Sequence, residues 1–139
     1  MKLFVRVILL FVFSMGYLKT VIAEEDMRET HYIGVPGVIL TQLNSASGKG
    51  ERRVFQGKVR IEMLAANRTE AFNAILNPAP RILHDLNLLV SKTPYEEMET
   101  GEGQVALQAL ARDVVAGILS QNAPEIEVVD VLFIEYIIR

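Results

Sequence analysis

The chain has 139 residues, is half hydrophobic, and contains no Cys and no Trp. That length suits one domain with one core, and the absence of Cys excludes disulfides and thiolate metal sites. The formal charge is −3; setting aside residues 1–23, which hold Lys2, Arg6 and Lys19 and no acid, leaves 11 basic against 17 acidic residues, a formal −6, and so argues against nucleic acid or an anionic lipid surface as a partner.

Lys2 and Arg6 flank the start of an apolar run from Val7 to Leu18, which is followed by Lys19 and then by Glu24, Glu25 and Asp26. A signal peptide has a basic start, an apolar centre of roughly 7–15 residues and small residues before the cleavage point; Val21 and Ala23 suit the −3 and −1 positions. A membrane anchor wants about 20 apolar residues, and the mostly apolar stretch Val7 to Ala23 spans 17 residues, with Lys19 placed to snorkel to the interface. Residues 1–23 are thus a signal peptide or an N-terminal membrane anchor. Either way the basic end stays inside and the acidic domain goes outside, which in a bacterium is the periplasm. Glu24 to Thr30 is a short charged linker, and the domain runs over residues 31–139.

His31 to Asn44 begins a strand region, with a turn or edge irregularity at Pro36-Gly37, because Pro cannot donate to a ladder. Val38 to Leu43 reads as a strand. Asn44 to Gly50 is a Gly- and Ser-rich loop; its Gly48-Lys49-Gly50 lacks the spacing of a phosphate loop. Arg52 to Leu64 alternates cleanly. Phe55, Gly57, Val59, Ile61 and Met63 point one way, and Gln56, Lys58, Arg60 and Glu62 the other, as in a half-buried strand.

Asn67 with Glu70 forms a capping box for a first helix, whose Phe72, Ile75 and Leu76 share a face. The Asn77–Pro80 stretch ends that helix. Pro80 opens a second, with Ile82, Leu83, Leu86, Leu89 and Val90 as its apolar side. Thr93-Pro94-Tyr95-Glu96 reads as another cap. Thr100 precedes a third helix, Gly103 to Gln121, with Leu107, Leu110, Ala111, Val114, Ile118 and Leu119 buried. The last stretch, Glu125 to Arg139, is a strand with apolar residues on both parities. Such a strand is expected to be central and covered on both sides. The fold class is α+β, in the order β-β-α-α-α-β, with helices on one face of a small antiparallel sheet.

No catalytic constellation stands out. His31 and His84 lack ligand partners at helical or hairpin spacing, so no metal site is expected. There is no nucleophile elbow, HExxH or nucleotide fingerprint. Glu96, Glu97, Glu99 and Glu102 cluster where acids complement helix starts, and read as solvated caps. The expectation is a protein that is not an enzyme and takes no cofactor.

Three stretches carry a family resemblance. Pro80 to Asp85, Leu88-Leu89 and Ser91 to Thr93 resemble the central motif of the flagellar basal-body protein FliL, roughly P-R-I-x-D, two leucines, then S-x-x-T. Thr100 to Gly103 with Leu107 is similar to its next block. Asp130 to Ile138 is similar to its closing D-V-x-F-x-x-F strand, and Phe55 to Glu62 looks like its second strand. The resemblance covers residues 32 to 139. It implies a periplasmic domain anchored in the inner membrane beside the flagellar motor, with a stomatin-type fold. It also implies association with stator and basal-body proteins, assembly into a homo-oligomer, and support of swimming. Arg81 and Asp85 on the second helix, and Val131 and Phe133 on the last strand, are possible interface residues. The short apolar segment and short linker depart from the family pattern. They leave open a secreted or periplasmic scaffold of the same fold, unconnected to flagella.

Overall fold

The computed structural model of the chain describes residues 27–139. The readings of residues 1–23 and of the first residues of the linker therefore lie outside the described residues. Strands β1 (Glu29–Gly34), β2 (Ile39–Leu43) and β3 (Arg53–Ala65) come first. Helices α1 (Arg68–Leu76), α2 (Ala79–Ser91), α3 (Tyr95–Met98) and α4 (Gly101–Asn122) follow, and β4 (Glu127–Ile138) closes the chain. The α+β class and the small antiparallel sheet are as the sequence indicates; the expected order β-β-α-α-α-β gains a strand, because Pro36-Gly37 splits the first strand region in two, and a short helix at Tyr95–Met98. β1 starts early enough that Glu29 and Thr30, expected in the linker, are already paired in the sheet.

β3 is the centre of the sheet. On one side it pairs with β1 through residues 60–65 and with β2 through residues 53–57. These two strands form one line interrupted at Pro36-Gly37, where Pro has no N–H to offer. Gly37 has a φ of 116°, a left-handed backbone that favours glycine. The Val35 N–H still donates to the Val59 carbonyl at 2.9 Å, so pairing persists up to the break.

β4 pairs with the other side of β3 along nearly its whole length and, among the described residues, has no further strand beyond it. The expected central strand is therefore an edge strand, and its apolar residues on both parities have another cause. The register shifts twice, between Glu62 and Met63 and between Gln56 and Lys58 on β3. Each shift accommodates an extra β4 residue, and the second coincides with Glu135 at φ 54°. A bulge of this kind reverses the parity that follows it. Val128, Val131, Phe133, Tyr136 and Ile138 consequently all pack toward the helices.

The core lies between that sheet face and the helices. Phe55, Val59, Ile61 and Met63 of β3 are buried with Ile33, Ile39 and Leu43 of the neighbouring edge. α2 adds Ile82, Leu86 and Val90 at i, i+4, i+8, and α4 adds Leu107, Ala111, Val115, Ile118 and Leu119. Each large side chain so buried stabilises by roughly 1.5–3 kcal/mol relative to exposure. Leu110 and Phe72, expected to face inward, are about half exposed. At 100° per residue Leu110 lies about 110° around the helix from the centre of the buried stripe of α4.

The caps follow their chemistry. Asn67 Oδ1 accepts from the Glu70 N–H at 2.9 Å, and the Glu70 carboxylate accepts from the Ala66 N–H at 3.0 Å. Thr100 Oγ1 accepts from the Gly103 N–H at 3.0 Å. Thr93 does not cap α3: its hydroxyl donates back to the Leu89 carbonyl, and Pro94 occupies the cap position without a side-chain bond. Among the described residues no helix is long and apolar enough to cross a membrane.

Candidate interaction surface

The titratable residues singled out by sequence are dispersed. His31 lies on β1 opposite Met63, and its Nε2 is buried without a hydrogen-bond partner among the described residues. His84 is exposed on α2. Among the described residues no three His, Asp or Glu side chains converge closely enough to hold a metal ion. A shallow hollow of about 480 Å³ lies between α1 and the end of α4, lined by Asn67, Glu70, Asn73, Asn122 and Glu125 among others. Two of those side chains are already committed to the α1 cap.

The glutamate cluster is more than a set of solvated caps. The Glu96 carboxylate accepts from the Ser45 hydroxyl and from the Ala46 N–H at 3.0 Å. These bonds, the Ser45 bond foremost, hold its carboxyl below the ordinary range. The Tyr95 N–H donates to the Asn44 carbonyl at 3.2 Å. Arg53 reaches Glu99 at 2.6 Å while its guanidinium stacks 4.8 Å above the Tyr95 ring. Together these contacts clasp the β2–β3 loop to α3. The carboxylates of Glu97 and Glu102 have no polar partner among the described residues. Nothing local in sequence announces this clasp, because the partners lie about fifty residues apart.

The interface residues proposed from sequence fall in two environments. Arg81 and Asp85 lie one turn apart on α2 and form an ion pair at 3.8 Å. Arg81 also donates to Gln121 at 3.4 Å, tying α2 to the end of α4. Val131 is fully buried in the core. Phe133 is half-buried beside it, edge-on to Phe55 with ring centroids 6.4 Å apart. Tyr136 completes that aromatic group, 4.9 Å from Phe55, and its hydroxyl donates to the Met98 carbonyl at 2.7 Å. Burial pushes the Tyr136 hydroxyl up to about 12, with the nearby Glu99 charge adding to it.

Among the described residues no helix covers the opposite face of the sheet. Cross-strand rows run Leu40–Gln56–Ile137 and Gly34–Arg60–Leu132, and Lys58 stands opposite Ile134. Leu40 is 61% exposed, Tyr32 47% and Ile137 43%. Two apolar rails therefore border a polar central strand. On that strand Lys58 pairs with Glu135 at 3.1 Å, and Glu62 engages Tyr32, holding the phenol above its ordinary value. Arg60 is exposed and forms no ion pair among the described residues. A Cβ on its neighbour Gly34 would meet nothing within 4 Å. Sequence reasoning missed this face because the bulges that expose Leu132, Ile134 and Ile137 together leave no mark in the alternation.

This is a small α+β domain whose distinctive features lie on its surfaces. The model of the family described as flagellar basal body-associated protein FliL matches residues 32–138. The chain belongs to the FliL family, and so to proteins associated with the flagellar basal body. A comparison with curated proteins finds no match.

Proposed function

We propose that this protein is a non-enzymatic accessory of the flagellar motor that self-associates, engages the stator units and supports swimming. The observation that carries the reading is the family match over residues 32–138. The partly apolar sheet face, which no helix covers among the described residues, supports self-association, since exposed apolar area of this kind favours contact with another protein surface. Lys2 and Arg6 ahead of the apolar run, and the acids after it, support tethering in the inner membrane with the domain in the periplasm. The Arg81–Asp85 pair on α2, with Arg81 exposed and Asp85 partly so, is a second contact point for a basal-body partner.

The Val21-Ile22-Ala23 sequence favours a second reading, a cleaved and soluble periplasmic scaffold outside the motor. The mass of the mature N-terminus, taken separately from membrane and soluble fractions, distinguishes the two. An intact Met1 form in the membrane, with impaired swimming on gene deletion, is the expected result. A soluble form beginning at Glu24, with normal swimming in the deletion strain, would overturn the motor reading.

A further inference from the structure

We propose that the free edge of β1 receives an extended segment of another protein as an added antiparallel strand. Alternate side chains of that segment seat under Phe72 and Leu76 of α1, and an acidic residue reaches Arg60 across Gly34. The inference needs no second copy of this chain, and so stands apart from the self-association reading.

The backbone sets the site. β1 pairs with β3 in unbroken register, and one step beyond the Gly34–Arg60 pair the Val35 N–H donates to the Val59 carbonyl. An antiparallel ladder alternates between residues bonded to the neighbouring strand and residues whose backbone groups turn away from it. Ile33 and His31 therefore bond to β3, while Thr30, Tyr32 and Gly34 turn their N–H and C=O groups outward. Among the described residues no strand lies beyond them. Free edges are ordinarily blunted by bulges, charges or Pro. β4 follows that rule, with two register shifts and Glu135 at φ 54°. β1 does not: it holds no bulge, Pro or Lys, and its one charged side chain, Glu29, stands at the start. The outward groups recur every second residue, a spacing that an extended backbone satisfies and a helix does not.

The side chains set the partner. α1 lies over β1 and β3, with Ala71 and Ile75 in the core and Asn73 and Ala74 lining the hollow toward α4. Phe72 and Leu76, each 48% exposed, lie on the opposite flank of the helix and overhang the β1 edge. Tyr32 stands exposed on the other face of the sheet, so an added strand meets an apolar wall on each side. A Cβ at Gly34 would meet nothing within 4 Å, and Arg60 lies directly across that gap. Arg60 has no ion pair among the described residues, and a glutamate opposite Gly34 has the reach to supply one. The six residues of β1 give an edge about 20 Å long. That is short of a standard interface, so binding is weak and rests on the backbone bonds.

The test uses the full chain in detergent and a capped six-residue peptide with Glu first, Val second and fourth, and Thr elsewhere. The peptide is titrated while backbone amide signals are followed by NMR. The amides of Thr30, Tyr32 and Gly34 are expected to shift saturably, and at nine-tenths saturation their hydrogen exchange slows about tenfold. A peptide N-methylated at its third residue, whose N–H faces Tyr32, is expected to bind at least about tenfold more weakly. One N-methylated at its fourth residue, whose N–H faces away, is expected to bind unchanged. Tyr32→Pro, which removes only an outward N–H, and Phe72→Asp, at an exposed position, each lose binding. Arg60→Glu weakens it about threefold, and a peptide with Lys in place of Glu regains it. Equal binding of the two N-methylated peptides would overturn strand addition. Shifts confined to the hollow or to the β4 edge would overturn the choice of site, and none at millimolar peptide would overturn the proposal outright. A wild type already associated through this edge, and dissociated by Tyr32→Pro, would assign the edge to a second copy and overturn the partner reading.

Discussion

Two glycines on α4 should respond oppositely to the same substitution. Gly117 is exposed, and a Cβ there would meet nothing within 4 Å. Gly117→Ala removes backbone freedom from the unfolded chain and should stabilise by about 0.5–1 kcal/mol. Gly103 has the same intrinsic preference but a crowded setting. Its Cβ would overlap the Glu97 carbonyl oxygen and lie 2.6 Å from the carbonyl carbon, against about 3.5–4.0 Å for comfortable carbon contact. One backbone must therefore move by about 1 Å. Overpacking of that kind costs about 1–3 kcal/mol. The displacement also disturbs Thr100, whose hydroxyl donates to that Glu97 carbonyl at 2.9 Å while accepting from the Gly103 N–H, and a weakened cap costs about 1 kcal/mol more. After the propensity gain is set against these terms, Gly103→Ala should destabilise by about 2–3 kcal/mol. Urea unfolding followed by circular dichroism reads both variants directly, and the melting temperature of Gly103→Ala should fall by about 10 °C. A neutral or stabilised Gly103→Ala would refute the reasoning, because it would mean that the end of α3 does not press on the start of α4.

Tyr136→Phe should cost about 1 kcal/mol at neutral pH by removing one of the two side-chain donors to the Met98 carbonyl, Gln104 remaining as the other. The same hydroxyl, held up to about 12, contributes stability that is complete below its ordinary value of 10 and is lost as pH rises through 12. Alkaline unfolding should therefore show a slope in that window that shrinks in Tyr136→Phe; the remainder belongs in part to Tyr32, which Glu62 also raises. An unchanged slope would contradict the buried placement of the phenol. The lowered Glu96 carboxyl acts in the opposite direction. Its hold on the loop is present above the ordinary 4.5 and is lost as pH falls through the lower value it has in the fold. Glu96→Gln should raise amide exchange at Ala46 at neutral pH, and wild type should approach that behaviour in acid. Equal protection in both proteins at all pH values would remove the clasp.

Much of this domain is written locally. The Arg52–Leu64 alternation, the Asn67–Glu70 box and the Thr100 cap each depend on residues a few positions apart, so period and side-chain chemistry announce them. The central motif around Pro80 to Thr93 and the closing strand sufficed to indicate the family. The candidate surface was legible only in its charged centre, Lys58 and Arg60, which read as a solvated face.

What the sequence by itself determined is the α+β class, the helix-facing side of β3 and the capping of α1 and α4. Tertiary structure decided the place of β4 at the edge, the two bulges that gather Val131, Phe133 and Tyr136 on one side, and the clasp of Glu96 on Ser45. The physical reason is shared by all three. Strand order, register and loop docking are set by partners tens of residues away, whose pairing satisfies backbone and carboxylate hydrogen bonds that no local window contains.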